Sequence, residues 1–438
     1  MVRLLDSAWW VQIVAGWRHR LQNVAPATVP VSGDVASFSS PPRAATTSPN
    51  EIFTPTRPRA GRRTLVGREQ ELGRILDAIF DDNAHVVLYS ERGRGKTSLS
   101  NLAVERLRRR GAVVARCACE AETNFDGMMR MLARDIPPAL LRSGFGDEAS
   151  DGCEAILPSR AIRPADVAGI LDHLNCDVLV FVVDEFDRVT DGETRTRLAD
   201  TIKTLSDRGL RLYFMVVGVS ETLEQIIGQH PSIQRNIVGV HLPLLRDDEV
   251  TEMLDRGGKQ AGLDFGGVAI GIVQTVARGM PYMSQLLGLR IAQAALRRIA
   301  MSEDRLSVAE ADVLSAVERL IGEANSSVTL SYGSITAAAA DGLEPATLLR
   351  LANADQDRWG RMVVVRTAGQ VLVGGCRLTP PQWQRLLQAD VVVQSEGEAG
   401  PAQFRDRALI YHVLLLAART RLAGQNEQAM DEFARLHA

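Results

Sequence analysis

Eight consecutive residues, Ser90-Glu91-Arg92-Gly93-Arg94-Gly95-Lys96-Thr97, place two spaced glycines, a lysine and a hydroxyl directly after the apolar run 85–89. Glycines allow successive backbone N–H groups to curl around an anion, and the helix that follows turns its unpaired amides toward the same point. Lys96 is spaced to reach the β- and γ-oxygens of a nucleotide, and the Thr97 hydroxyl to ligate Mg²⁺. The loop therefore predicts a nucleoside triphosphate and Mg²⁺ as ligands, with Ser90, Glu91, Arg92, Gly93, Arg94, Gly95, Lys96, Thr97 and Ser98 around the phosphates. The chain has only three lysines, against 47 arginines, and one stands where phosphate chemistry wants a compact ammonium instead of a planar fork. Ser90 occupies a position where the pattern has glycine. If that position needs positive φ, serine is strained there by roughly 1 kcal/mol.

A second group lies 87 residues after Thr97. Residues 177–183 form a near-continuous apolar run of the kind found in a central parallel strand, and it ends in Asp184-Glu185. Carboxylates at the carboxyl end of such a strand border the crevice in which nucleotides bind. Asp184 would hold Mg²⁺ and Glu185 would polarise the attacking water. The bland alternative is a solvated acidic turn through Asp187 and Arg188.

The elements that must position these groups follow from periodicity. A helix at 70–79, a strand at 85–89, a helix from the lysine loop to Arg110, and strands at 112–117, 178–184, 212–219 and 237–242 alternate as in a doubly wound parallel α/β sheet. Beyond residue 245 the strands stop. Stretches 247–261, 268–277, 282–299 and 308–321 all carry helical periodicity and predict an all-helical lid. In the tail, short helices at 331–340, 345–352 and 380–387, strands at 362–365 and 371–373, and a long apolar helix over 406–422 are compatible with a winged helix. The expected domains are an amphipathic Trp-rich helix (1–22), a disordered Pro/Ser-rich linker (23–60), a nucleotide-binding domain (61–245), a helical lid (246–325) and a winged-helix-like domain (326–438).

Composition bounds the function. With 438 residues, 45% hydrophobic and 24% charged, the chain can bury two or three cores. A net charge of −3 gives no global pull toward nucleic acid, so any such binding needs a local basic face. Five cysteines without metal spacing, odd in number, predict buried thiols in a reducing, cytoplasmic compartment. No apolar run is long enough for a transmembrane helix. Near the start, Trp10, Ile13, Val14, Trp17 and Leu21 share one helical stripe, read as a self-docking or partner-binding helix or as a membrane-surface one.

Val66-Gly67-Arg68-Glu69 upstream of the lysine loop, the loop itself, Asp184-Glu185 at a strand end, and the lid and tail together resemble the AAA+ ATPases of the Orc1/Cdc6 type, including their bacterial members. The resemblance covers residues 50–300 well and the tail loosely. It implies a five-stranded P-loop sheet, with Val66, Gly67 and Arg68 near the adenine. Arg235 matches the arginine finger supplied to a neighbouring subunit's γ-phosphate. Ser220 or Glu221 stands where the family has a polar sensor, often Asn. Tyr282 stands where it often has a sensing arginine, with Arg278 as the nearest cation. Catalysis would rest on Lys96, Glu185 and Arg235.

The function so implied is ATP binding and hydrolysis by a self-assembling protein, a homo-oligomer or one with an AAA+ partner, that acts on double-stranded DNA as an initiator or loader. Arg377 and Arg385 flank the tail's candidate recognition helix, and Arg358 and Arg361 lie near its wing. The alternative is an ATP-gated signalling or defence switch that recruits an effector protein through its tail, with weak or no hydrolysis.

Overall fold

The computed structural model describes residues 47–55, 66–142, 152–220, 223, 233–300, 306–336, 343–367, 369–395, 400–405 and 407–436. The Trp-rich segment 1–22 lies outside them. The described residues form two compact units, one of 66–244 and one of 47–55 together with 245–436.

The first unit is a five-stranded parallel sheet. After a short helix of the second unit, α1 (Pro49–Ile52), the chain order is α2 (Glu69–Phe80), β1 (His85–Ser90), α3 (Lys96–Arg109), β2 (Val113–Ala118), α4 (Phe125–Arg134), α5 (Pro164–Ala168), β3 (Leu179–Asp184), α6 (Gly192–Asp207), β4 (Leu212–Val219) and β5 (Ile237–His241). The strand order is β2-β3-β4-β1-β5, every pair parallel. Strand periodicity explains the layers, because alternate residues enter opposite cores. Val87, Phe181, Val183, Phe214 and Val216 face a core with Phe125, Met128 and Phe186. Val86, Leu88, Val180, Val182 and Met215 face Ile75, Ile79, Leu99 and Leu107. Caps fix where helices begin: Asn124 Oδ1 accepts from Gly127 N (2.8 Å), and the Asp191 carboxylate accepts from Glu193 N and Thr194 N (3.0 and 3.2 Å).

The second unit continues with α7 (Asp247–Ala261), α8 (Gly266–Ala277), α9 (Pro281–Ile299), α10 (Glu310–Gly322), α11 (Ser326–Thr336), α12 (Pro345–Ala352), β6 (Val364–Thr367), β7 (Gln370–Val373), β8 (Cys376–Leu378), α13 (Pro380–Gln388), β9 (Val392–Gln394), β10 (Ala402–Phe404) and α14 (Arg407–Leu436). The expected two strands of the tail become an antiparallel three-stranded sheet, β6-β7-β8, and β9 and β10 make a further hairpin.

Residues 47–55 correct the expectation of a disordered linker over 23–60. They carry α1, and Phe53 is only 2% exposed, with its ring edge-on to Phe265 at 5.8 Å. Two glycines make the space. A Cβ on Gly257 would lie 2.3 Å from the Phe53 ring and one on Gly288 2.9 Å from it. Thr54 N donates to Gln285 Oε1 (3.0 Å) and Gln293 Nε2 to Asn50 Oδ1 (2.8 Å). The Pro-rich composition concealed a single aromatic anchor.

Candidate functional site

The strand order decides which groups meet. With β4 between β1 and β3, the carboxyl ends of three adjacent strands deliver Ser90, Val219-Ser220 and Asp184-Glu185 to one edge of the sheet. Ser220 N donates to Ser90 O (3.3 Å), so the end of β4 touches the start of the loop. Ser220 is buried.

Gly93 and Gly95 have φ of 80° and 91°, the left-handed region that side chains disfavour, and Gly95 caps α3. Ser90 needs no such conformation. It ends β1 in extended backbone, fully buried, and its hydroxyl donates to Glu91 O (3.1 Å), so the strain anticipated for a serine here does not arise. Lys96 Nζ donates to Ser90 O (2.8 Å) and Glu91 O (2.9 Å) and lies 3.5 Å from Ser90 Oγ. Burial pulls the ammonium down to about 8, with Asp187, Asp184 and Glu91 acting in the opposite sense. Thr97 and Arg92 are exposed, and Ser98 is half-buried.

Two arginines of the expected nucleotide set hold the loop in place. Arg94 is fully buried: its Nη1 donates to Leu242 O (3.0 Å) and its Nη2 pairs with Glu91 Oε1 (3.0 Å). Arg68, 3% exposed, donates through Nη2 to Arg94 O (3.2 Å) and Pro243 O (2.8 Å). The two guanidiniums bolt the loop to the chain leaving β5. Val66 is buried beside Gly67, whose φ is 70°.

Asp184 ends β3. Burial pushes its carboxyl above the ordinary carboxylate range, opposed by the Glu185 amide, which donates to Oδ1 (2.9 Å), and by Arg116, whose Nη2 lies 4.0 Å from Oδ2. Glu185 is exposed, has a φ of 54°, and accepts from Arg188 Nη1 (2.7 Å). This donor set fits a triphosphate with Mg²⁺. A curved glycine loop, a half-buried ammonium, the exposed Thr97 hydroxyl and a strand-end carboxylate within the ammonium's field supply the complementary charges.

Residues 64–217 match the AAA ATPase domain family. Among solved structures, the Walker-type ATPase PABY2304 of Pyrococcus abyssi is similar in fold, with a TM-score of 0.50 and 16% identity over 83% of this chain and 99% of that one. The ORC2 protein of Aeropyrum pernix gives 0.45 and 14% over 81% and 95%. The RuvB Holliday junction branch migration motor of Thermotoga maritima gives 0.42 and 14% over 78% and 95%. At 16% identity the likeness to the Pyrococcus abyssi protein is one of fold. No curated protein matches significantly.

The remaining expected residues fare unequally. Arg235 is exposed in a 3₁₀ turn, Gln234–Asn236, that leads into β5. Tyr282 lies in the first turn of α9 in the other unit, 39% exposed. Arg278, the expected substitute for a sensing arginine, is engaged elsewhere. Its Nη1 donates to Ala352 O (2.6 Å) and its Nη2 to Ala354 O at the carboxyl end of α12, a favourable place for a cation. In the tail, Arg385 donates to Ser334 O (3.1 Å), Arg361 pairs with Asp357 (2.9 Å) and Arg358 lies over the Trp359 ring (4.2 Å). Arg377 is exposed on β8.

Three residues were not singled out from the sequence. Asp187 Oδ1 accepts from Val219 N (2.8 Å), tying the turn after β3 to the end of β4, and its charge is the strongest acting on Lys96. Arg116 reaches Asp184 from β2, and Arg188 reaches Glu185 from within its own turn. Asp187 and Arg188 stood in view beside the acidic pair, whereas Arg116 needed the β2–β3 register, which sets Ala118 beside Asp184. All five cysteines are free thiols. Among the described residues no helix is long and apolar enough to cross a membrane.

Proposed function

We propose that this chain is an Orc1/Cdc6-like AAA+ ATPase that binds ATP with Mg²⁺ and hydrolyses it. One observation carries the reading: a half-buried Lys96 ammonium, fixed on the backbone of a glycine loop, lies in the field of Asp184 and Asp187 where β1, β4 and β3 end side by side. Lys96 and the loop amides from Glu91 to Ser98 hold the phosphates, while Thr97 and Asp184 hold the metal. Ser220 lies along the γ-phosphate, and Val66 and Gly67 form the base side of the pocket, with Arg68 bracing the loop beside them. Mg²⁺ supplies charge neutralisation on the β- and γ-oxygens. Glu185 orients the attacking water, and Arg235 serves a neighbouring copy, so turnover belongs to an assembly.

The resemblance of the sequence to initiators extends the reading to duplex DNA as the macromolecule acted on, through a winged-helix-like tail carrying Arg377 and Arg385, and to a cytoplasmic setting. Steady-state hydrolysis of wild type against Glu185→Gln tests the core of it. The variant is expected to retain ATP binding and to accumulate unhydrolysed ATP, since the amide keeps the shape but loses the carboxylate. Wild-type turnover in Glu185→Gln removes Glu185 from catalysis.

A further inference from the structure

β4 is the middle strand of the sheet, and it outruns one of its two neighbours. Its register with β3 ends at Val183 beside Val216, whereas its register with β1 runs on to Ser90 beside Val219. The last residues of β4 therefore keep a strand on one side only. Successive amides of a strand point to opposite neighbours. Ser220 N donates toward β1, to Ser90 O (3.3 Å), so Val219 N points the other way, past the end of β3. A buried amide left without an acceptor costs about 1–3 kcal/mol. The Asp187 carboxylate fills the gap, its Oδ1 accepting from Val219 N at 2.8 Å. Asp187 is itself held by its turn. Glu185, with a φ of 54°, opens the 3₁₀ turn Phe186–Arg188, whose Phe186 is fully buried and accepts from Val189 N (3.2 Å). A side chain thus continues the ladder that β3 leaves unfinished. Ser220, 7% exposed, is the residue so fixed, with Asp187 holding its neighbour on the β3 side and Ser90 holding its own amide on the β1 side.

We propose that Asp187 is a positioning residue that stands in for the missing β3 partner of Val219 and so fixes Ser220 against the γ-phosphate. The inference rests on the ATPase reading of this site. A serine side chain is too short to make up for a backbone that drifts, so the placement of residue 219 sets where the hydroxyl lies. The Asp187 carboxylate is spent on a protein amide, and it acts through Ser220 without touching the nucleotide.

The test uses full-length protein with ATP and Mg²⁺. A misplacement of about 1 Å near the reacting atoms can cost 100-fold, so Asp187→Ala is expected to lower kcat about 10- to 100-fold. Its ATP affinity by calorimetry should hold or rise, because the charge removed is a negative one in the field of Lys96, whereas general damage to the site would weaken binding. Asp187→Asn keeps an oxygen acceptor and should recover most of the lost kcat. Ser220→Ala should lose as much as Asp187→Ala, and the double variant no more than either, as expected of residues that act as a unit. In nucleotide-free protein, hydrogen exchange of the Val219 amide should quicken about tenfold in Asp187→Ala and stay slow in Asp187→Asn. Wild-type kcat in Asp187→Ala or Ser220→Ala, additive losses in the double variant, or unchanged Val219 exchange overturns the inference while leaving ATP hydrolysis standing. Asp187→Asn as slow as Asp187→Ala overturns it too, since the charge and not the hydrogen bond would then matter. Absence of turnover in wild type overturns the ATPase reading and this inference with it.

Discussion

Arg94 lies in the middle of the phosphate loop, yet its side chain is fully buried and directed at Leu242 and Glu91. Replacing it with methionine keeps a long apolar stem and removes the cation. Loss of a charge-assisted hydrogen bond to the Leu242 carbonyl costs about 1.5–3 kcal/mol. The Glu91 pair adds little, because Glu91 keeps a quarter of its surface in water and can hydrate once the arginine is gone. Relief from desolvating a guanidinium works in the other direction, so the net loss should stand near the low end of what breaking a buried pair costs, about 2–3 kcal/mol. For a unit of this size that lowers Tm by roughly 4–12 °C. Thermal unfolding followed by circular dichroism measures it, alongside ATP binding by calorimetry. If Arg94→Met melts within about 2 °C of wild type yet loses ATP affinity, Arg94 acts on the nucleotide and the assignment of its side chain as a bolt is wrong.

Lys96→Ala should weaken ATP binding by about 100-fold or more, since the phosphate charge is left to backbone dipoles and helix amides; unaltered affinity by calorimetry would remove the loop from the site. Gly257→Ala must expel the Phe53 ring, because the new Cβ would lie 2.3 Å from it. After the gain in helix propensity it should destabilise by about 1–2 kcal/mol, and its effect should largely vanish in a Phe53→Ala background. Full additivity in urea unfolding would show that the ring and the glycine do not meet. His85 is buried, its Nδ1 accepts from Phe214 N at 2.9 Å, and burial holds its pKa down to about 3. The unfolded chain takes up this proton near pH 6.5 and the folded chain does not until near 3, so stability should fall as pH drops through that window. His85→Asn should show a shallower fall of Tm between pH 6.5 and 4.5, and an identical slope would refute the linkage.

The chemistry of this chain is legible in its residue order alone. The glycine loop with its lysine and hydroxyl is local in sequence, and so is a strand that ends in two carboxylates, because the backbone needs of phosphate binding and of a buried parallel strand leave direct marks on residue order. The five long strands and the helices between residues 247 and 322 are equally plain, since each spans enough residues for its periodicity to show. Strands β8, β9 and β10 are not, being three residues each, too short for alternation to register.

Tertiary structure decides which charges do chemistry and which hold the frame. Arg94 and Arg68 read as phosphate- and base-side residues from their place in the sequence, but their guanidiniums are spent on carbonyls 148 and 175 residues away, after a strand that only the sheet order brings alongside. Arg278 is likewise available as a sensing cation until the fold sets the end of α12 against it. Phe53 lies in a segment whose prolines predict disorder, and the glycines that receive it are more than 200 residues downstream. Sequence carries local geometry and periodicity, whereas the partner of a long, charged or aromatic side chain is a non-local fact, fixed only when strand order and helix packing bring distant backbone within its reach.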